Sequence, residues 1–233
     1  MLELLDLCVE QGDFTLAANM AFTAPITALV GPSGAGKSTL LNVIAGHIAP
    51  QQGRIHWRGE DISELAPAKR PLAMLFQDNN LFPHLDVAQN LALAVTRGRP
   101  DADDRARIAD ALSRVELPGV EDRMPAQLSG GQQSRVALAR ALLQARPLML
   151  LDEPFAALGP ALRREMLDLV ASMSAAHDIH TIMVSHDPQD AKRIANDIAV
   201  VAEGRVESPG PTAQILNNPP PALARYLGRS DEL

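Results

Sequence analysis

A glycine-rich loop at residues 31–39 constrains the fold of this chain more than any other stretch of its sequence. Its residues are Gly31, Pro32, Ser33, Gly34, Ala35, Gly36, Lys37, Ser38 and Thr39. An apolar run at 25–30 enters the loop, and an apolar run at 40–45 leaves it at helical spacing. The loop fits the pattern G-x-x-x-x-G-K-[ST], which in this strand–loop–helix context predicts a phosphate-binding loop.

The chemistry of the loop points to a nucleoside triphosphate. Glycines let successive backbone N–H groups turn inward on a polyphosphate, and the helix that follows presents its positive end. Lys37 can reach the β- and γ-phosphates, and the Ser38 hydroxyl can bind Mg²⁺. The alternative is a glycine turn that starts a helix and binds nothing, so the rest of the sequence has to distinguish the two.

Composition argues against several classes of function. The 233 residues carry a formal net charge of −7, which disfavours a broad nucleic-acid surface. Cys8 is the only cysteine, so the sequence has no internal disulfide or thiolate metal cluster, which suits a reducing compartment. The N-terminus lacks the basic segment of a signal peptide, and no apolar run approaches a membrane span in length. We expect a soluble protein, or one that reaches a membrane only through a partner.

The apolar runs predict an α/β fold with two additions. Early strands at 2–9, 14–22, 25–30 and 54–57, the last between turn residues Gly53 and Gly59, suggest a small, partly antiparallel sheet. A strand at 71–76 is followed by helices at 87–96, 101–115 and 121–126, and then by a helix that Ser129 and Gln132 start as a capping box. Core strands follow at 147–151, 180–184 and 198–202, with helices at 160–173, 187–194, 212–216 and 222–227. A helical insertion therefore separates two strands of the core.

Polar residues follow four of these apolar strands at their carboxyl ends. They are the phosphate loop after Val30, Gln77 after Phe76, Asp152 and Glu153 after Leu151, and Ser185 and His186 after Val184. In an open parallel sheet these ends line one edge, where ligands bind.

These polar groups are the ones that hydrolysis of a nucleoside triphosphate needs. Asp152 can hold Mg²⁺ through its water shell, and Glu153 can orient or deprotonate the attacking water. Gln77 can bridge metal and water, and His186 can hydrogen-bond the γ-phosphate. A solvated strand end at Asp152, or an ordinary surface histidine at His186, is the structural alternative when each is taken alone.

The full set of motifs resembles that of ABC-transporter ATPases. The phosphate loop, Gln77, the stretch LSGGQ at 128–132, the stretch LLDEP at 150–154 and Ser185–His186 occur in that family's order over about residues 1–216. The resemblance implies an ATP- and Mg²⁺-dependent ATPase with a RecA-like P-loop NTPase core, a small antiparallel β subdomain and an inserted helical subdomain. The corresponding ranges are 1–76 and 147–216 for the core with its β subdomain, 77–146 for the helical subdomain, and 217–233 for a C-terminal tail.

The resemblance also implies partners and a location. Two copies would form a head-to-tail homodimer in which each ATP lies between one phosphate loop and the other copy's signature residues, Ser129, Gly130, Gly131 and Gln132. The homodimer would sit at the cytoplasmic face of the inner membrane on integral-membrane permease subunits, and it would serve a periplasmic solute-binding protein indirectly. No nucleic-acid partner is expected.

Two segments narrow the resemblance to importers of thiamine. Residues 74–90, and residues 152–158 with 160–163, resemble the same regions of bacterial thiamine-import ATPases. Importers of molybdate, iron, sulfate and polyamines have related subunits and remain alternatives. An ABC ATPase that clamps nucleic acid or ribosomes, and a small-molecule phosphate-loop kinase, are the rivals from other classes; the acidic charge argues against the first and LSGGQ against the second.

Two positions depart from the family pattern, and one cluster has two interpretations. Gly159 stands where the family usually has aspartate, so a carboxylate contact between the two ATP sites is missing, although glycine remains an acceptable helix N-cap. Phe14 is the available aromatic residue near the first hairpin for stacking on adenine, and we favour a strand-core role for it. The hydrophobic residues around Gln77 are either a small core or a groove for a permease helix: Phe76, Leu81, Phe82 and Leu85.

Overall fold

The structure is a computed structural model that describes residues 1–78, 80–96 and 98–228. Its strands are β1 (Leu2–Gln11), β2 (Phe14–Phe22), β3 (Ile26–Val30), β4 (Gln52–Trp57), β5 (Glu60–Asp61), β6 (Leu72–Leu75), β7 (Leu148–Asp152), β8 (His180–Val184), β9 (Asp197–Ala202), β10 (Arg205–Val206) and β11 (Gly210–Pro211). Its α-helices are α1 (Lys37–Ala45), α2 (Val87–Ala92), α3 (Ala102–Arg114), α4 (Gly130–Leu143), α5 (Pro160–Ala176), α6 (Pro188–Ile194), α7 (Thr212–Asn217) and α8 (Pro221–Tyr226). The predicted α/β class is therefore confirmed.

All these strands belong to one sheet. Its order is β5-β4-β1-β2-β10-β9-β3-β8-β7-β6, and β11 pairs with β9. The strands β9, β3, β8, β7 and β6 are parallel neighbours, whereas β1 pairs antiparallel with both β2 and β4. Short β10 joins the two halves, because it pairs with β2 on one side and β9 on the other. The phosphate-loop strand β3 is buried at every position, which explains its unbroken apolar run.

The helices α2, α3 and α4 lie between β6 and β7 in the sequence and form a separate packed group. Their buried side chains share one hydrophobic cluster, which includes Val87, Leu91, Ile108, Leu112, Val136 and Ala139. The opposite side of α4 packs on the sheet through Ala137, Leu138 and Ala141, which contact the cluster of Met149 and Leu151. No strand lies between β6 and β7 in the described part of the chain, as the sequence predicts.

Three local predictions are wrong. Residues 121–126 are not a helix, because the carbonyls of Glu121 and Arg123 accept hydrogen bonds from the backbone at the start of α2, and a 3₁₀ turn follows at Pro125–Gln127. The helix α2 ends at Ala92 rather than at 96. Gly53, predicted as a turn residue, lies within β4 with φ +89. A Cβ atom there would be 2.5 Å from the Leu5 carbonyl oxygen, so the glycine allows β4 to approach β1 closely.

Two predicted features extend beyond the described residues. Asn79, in the segment that resembles thiamine-import ATPases, and residues 229–233 of the predicted tail lie outside them. Among the described residues no helix is both long enough and apolar enough to cross a membrane.

Candidate nucleotide-binding site

The glycine loop connects β3 to α1 in a conformation that needs glycine. Gly36, the N-cap residue of α1, has φ +104, and no side chain caps the helix there. Gly31 has φ +156, and a Cβ atom at this position would lie 1.9 Å from the carbonyl oxygen of Val201 in β9. Because the loop packs this closely on the neighbouring strand and leaves the α1 amides uncapped by a side chain, it can offer those amides to an anion.

The Lys37 ammonium group lies inside the loop. Its Nζ donates hydrogen bonds to the carbonyl oxygens of Gly31 and Pro32, each at 2.8 Å, and the residue is only 6% exposed. Burial lowers the pKa of Lys37, while the carboxylates of Glu153 and Asp152 act in the opposite direction. A buried cation held by neutral carbonyl oxygens is favourably placed to exchange them for charged phosphate oxygens.

Ser38 and Asp152 come together although they are far apart in sequence. The Ser38 Oγ donates a 2.9 Å hydrogen bond to Oδ1 of Asp152, at the end of β7. Burial raises the pKa of the Asp152 carboxyl group, and the hydrogen bond from Ser38 acts in the opposite direction. A hydroxyl and a carboxylate are hard oxygen donors of the kind that Mg²⁺ prefers, so the pair fits the predicted ion. Within the described residues no group of three or more acidic, His or Cys side chains could hold a metal, so phosphate and water oxygens would have to complete the shell.

Glu153 and His186 form the second pair. His186 Nδ1 lies 2.8 Å from Glu153 Oε1, and their side chains are 43% and 20% exposed. The backbone of Glu153 is left-handed, with φ +48, which for a residue other than glycine costs on the order of 1 kcal/mol or more. The adjacent Asp152 pairs with Val184 across β7 and β8, which brings the two strand ends side by side. The predicted convergence of Asp152, Glu153 and His186 with the loop is present.

The segment that carries His186 is held by Asp190 and Arg163, which the sequence analysis did not select for the site. Ser185 Oγ donates a 2.7 Å hydrogen bond to Asp190 Oδ2, and Arg163 Nε, on α5, donates to the same oxygen at 3.0 Å. The Asp187 backbone amide donates to Ser185 Oγ at 3.0 Å. No local pattern indicates this network, because it forms only when α5 packs against α6.

Two predicted groups do not join these pairs. Gln77 is exposed beyond β6, and among the described residues it makes no hydrogen bond to Ser38, Asp152 or Glu153. Ser129 caps α4 as predicted: its Oγ accepts from the Gln132 amide at 3.3 Å, and Gln132 Oε1 accepts from the Ser129 amide at 3.0 Å. No hydrogen bond joins the described signature residues to the phosphate loop of the same chain.

The hydrophobic residues after β6 divide between core and surface. Phe82 is 46% exposed and Leu93 is 53% exposed, whereas Leu81 is half-buried against two of the hydrophobic clusters. A cavity of about 490 Å³ is lined by these three residues, by Phe76 and by Ala141 of α4. Leu81 therefore belongs partly to the core, as the first interpretation has it, whereas for the exposed Phe82 the groove for a permease helix stays a prediction.

Phe14 starts β2 and is half-buried on the core cluster of the sheet. A Cβ atom at Gly36 would lie 2.7 Å from its Cζ, so the ring edge also borders the phosphate loop. The strand-core role and a position beside the nucleotide are therefore compatible.

A parallel sheet whose strand ends bring Lys37, Ser38 and Asp152 together beside Glu153 defines a phosphate-loop nucleotide-binding protein. Comparison with known families makes the assignment more specific. The chain belongs to the ABC transporter family, whose pattern matches residues 19–156, and it is accordingly an ATP-hydrolysing protein. The predicted family is thereby confirmed.

Relatives and solved structures agree with this membership. The chain is 55% identical over 230 residues to "Thiamine import ATP-binding protein ThiQ" of Cereibacter sphaeroides, covering 98% of this chain and 100% of that one. The protein of the same name from Ruegeria sp. is 53% identical, with the same coverage. Among solved structures, cbiO1 of Clostridium perfringens, part of the ABC transporter complex cbiONQ, has a TM-score of 0.83 at 30% identity, covering 97% and 94% of the two chains. The dimeric ATP-binding cassette MJ0796 bound to ADP and Pi has a TM-score of 0.79 at 28% identity, covering 91% and 99%.

Proposed function

We propose that this chain is the ATPase subunit of a bacterial thiamine importer and that it hydrolyses ATP between the two copies of a homodimer. The observation that carries the ATPase mechanism is the convergence of the Ser38–Asp152 and Glu153–His186 pairs at the ends of adjacent strands. Thiamine as the solute is supported by the names of near-full-length relatives that are 44–55% identical.

Binding begins at the phosphate loop. Lys37 exchanges the carbonyl oxygens of Gly31 and Pro32 for β- and γ-phosphate oxygens, and the amides of residues 33–39 surround the polyphosphate. Ser38 and Asp152 would hold Mg²⁺, with Gln77 joining them after a movement of its exposed segment. When bound, Mg²⁺ neutralises charge on the phosphates.

Hydrolysis uses the second pair. Glu153 accepts a proton from a water molecule while the oxygen of that water attacks the γ-phosphorus. The bond between the γ-phosphorus and the bridging oxygen then breaks and leaves ADP and phosphate. His186 meets the Glu153 carboxylate through Nδ1, so Nε2 is the nitrogen left for the γ-phosphate, and it can donate to a phosphate oxygen in the imidazolium form, in which both ring nitrogens carry a proton. The strained backbone of Glu153 fits a side chain aimed at one position rather than at solvent.

A second copy completes each site. The signature residues lie at the start of α4, where the Ser129 cap takes the Gln132 amide and leaves the amides of Gly130 and Gly131 for an anion. Among the described residues, Ser129, Gly130, Gly131 and Gln132 make no hydrogen bond to the phosphate loop of their own chain. This separation supports binding in trans, against the ATP held by the other copy.

The remaining partners follow from the surface and the relatives. The groove at Phe82, at the base of the proposed helical subdomain 77–146, fits an apolar helix end of a membrane permease subunit. The core with its β subdomain would comprise 1–76 and 147–216, and 217–233 would be the tail. The homodimer would act peripherally at the cytoplasmic face of the inner membrane, and a periplasmic solute-binding protein would be an indirect partner.

Two experiments test the mechanism, and the second of them mixes two kinds of subunit. Glu153→Gln should keep ATP binding, lose turnover and accumulate as a closed dimer in chromatography with ATP; normal turnover would remove Glu153 as the base. Ser129→Arg chains and Lys37→Ala chains should each be inactive alone, and mixing them should restore one composite site and partial ATPase activity. An inactive mixture would contradict the trans arrangement.

The solute is tested in the assembled transporter. Reconstituted with its permease subunits and solute-binding protein, the complex should show ATPase activity stimulated by thiamine. Stimulation by molybdate, iron, sulfate or a polyamine instead would assign another importer, and stimulation by nucleic acid would exclude this function.

A further inference from the structure

The C-terminal helix α8 reaches the segment that carries His186. Tyr226, the only tyrosine of the chain, donates a hydrogen bond from its phenol to the main-chain carbonyl oxygen of His186 at 2.5 Å. The two residues are forty positions apart, and the contact links the tail of the chain to the proposed γ-phosphate ligand.

Helix α8 is anchored where such a contact can be maintained. Leu223 is fully buried and shares one hydrophobic cluster with Ala28 and Val30 of the phosphate-loop strand β3, and with Val200 of β9. Tyr226 packs against the same cluster. The helix is therefore seated on the strand that feeds the phosphate loop, and the phenol projects from it to the next strand end.

The surroundings keep the phenol a hydrogen-bond donor. Burial raises the pKa of Tyr226, and the nearby carboxylates of Glu153 and Asp187 raise it further. A phenolate would face these negative charges as well as the His186 carbonyl oxygen, so the protonated form is the stable one. Tyr226 thus lies within the electrostatic range of the proposed general base.

We propose that Tyr226 is a positioning residue for His186 and makes helix α8 part of the hydrolytic machinery. Because the phenol binds the carbonyl of His186, it fixes the peptide plane between His186 and Asp187, and therefore the direction in which the imidazole leaves the backbone. Ser185 is fixed on the other side by Asp190, so the His186 segment is held at both ends. This inference rests on the proposed role of His186 in hydrolysis.

Tyr226→Phe removes the hydrogen bond and keeps the ring that packs on the cluster. We expect kcat for ATP hydrolysis to fall about three- to tenfold, the range expected for one lost hydrogen bond, with KM for ATP and the unfolding temperature nearly unchanged. The matched control is Arg225→Gln, which removes the exposed Arg225–Glu203 ion pair from the same helix and should leave kcat unchanged. An unchanged kcat in Tyr226→Phe would overturn the inference and leave the proposed function intact.

A double-mutant cycle separates positioning from general stabilisation. His186→Ala keeps the carbonyl that Tyr226 binds but removes the imidazole, so Tyr226→Phe should cause no further loss in that background. An equal loss in both backgrounds would assign Tyr226 a structural role and overturn the inference. Wild-type activity in His186→Ala would instead refute the proposed role of His186 itself.

A single tyrosine also permits a test that leaves Tyr226 itself in place. Global replacement with 3-fluorotyrosine labels only Tyr226, and its ¹⁹F resonance should shift when His186 is replaced by alanine and when ATP binds to Glu153→Gln. A resonance that is unaffected by both changes would contradict the proposal even if Tyr226→Phe failed to fold.

Discussion

Gly131, in the first turn of α4, lies directly against the side chain of Leu162 in the first turn of α5. A Cβ atom at Gly131 would be 2.2 Å from Leu162 Cδ2, whereas a Cβ atom at Gly130 would meet nothing within 4 Å. Arg163, the residue after Leu162, holds the Asp190 carboxylate that accepts from Ser185. Helix α5 therefore contacts the signature residues with one side chain and the His186 segment with the next.

Gly131→Ala should destabilise the protein. The added methyl group must push Leu162 out of its position, and overpacking of this kind costs about 1–3 kcal/mol. Gly130→Ala is the control and should be neutral or slightly stabilising, since alanine favours the helix and has open space there. Urea unfolding without nucleotide measures both, and adding Leu162→Ala to Gly131→Ala should recover part of the loss. Equal effects of the two alanines would contradict the contact.

Asp152→Asn should make the protein without nucleotide more stable at pH 8. Because burial raises the pKa of Asp152 in the folded state, the folded protein binds more protons than the unfolded chain, and stability falls as pH rises through this range. Asparagine does not ionise, so Asp152→Asn does not lose this stability as pH rises. The difference in unfolding free energy between the variant and the wild type should therefore shrink as pH falls towards the ordinary aspartate pKa of about 4. Unfolding series from pH 4.5 to 8 test the trend. In return, Mg²⁺ with ATP should raise the unfolding temperature of the wild type far more than that of Asp152→Asn.

Asp190→Asn should weaken both the fold and the His186 segment. The Asp190 and Arg163 side chains are 9% and 19% exposed, so the change leaves a largely buried guanidinium without its carboxylate, at a cost of about 3 kcal/mol. Asp168→Asn, which breaks the exposed ion pair with Arg193 between the same two helices, should change stability little. Thermal unfolding of the two variants provides the comparison, and similar midpoints would show that the Arg163 pair contributes no more than a surface pair.

Gly159→Asp should stabilise helix α5. Gly159 is the N-cap residue, has φ −64 and ψ 157, and has open space around the position of a Cβ atom. An aspartate side chain can accept from the first-turn amides and oppose the helix dipole, for about 0.3–1 kcal/mol. Gly159→Ala, which cannot cap, should be less stable than Gly159→Asp in the same unfolding measurement. The reverse order would mean that the aspartate carboxylate does not reach the helix start.

Local chemistry predicts a large part of this fold. The parallel strands can be predicted from the sequence because both of their faces are buried, which gives unbroken apolar runs. The phosphate loop and the Ser129 capping box can also be predicted, because each is made by residues that are neighbours in the sequence. The predicted helix at 121–126 is wrong for the opposite reason. Its Glu121 and Arg123 carbonyls bind the start of α2, a partner that lies more than thirty residues earlier.

The contacts that make the site depend on strand order and register. Ser38 meets Asp152, and Glu153 meets His186, because β3, β8 and β7 are neighbours and Asp152 pairs with Val184. Residue identities determined that these groups could bind phosphate, metal and water. Only the tertiary structure decided that Arg163 and Tyr226 would hold the His186 segment, since helices α5 and α8 come near it only when they pack against the sheet. Hydrophobic periodicity specifies which face of a helix is buried, but not which distant backbone carbonyl that face will meet.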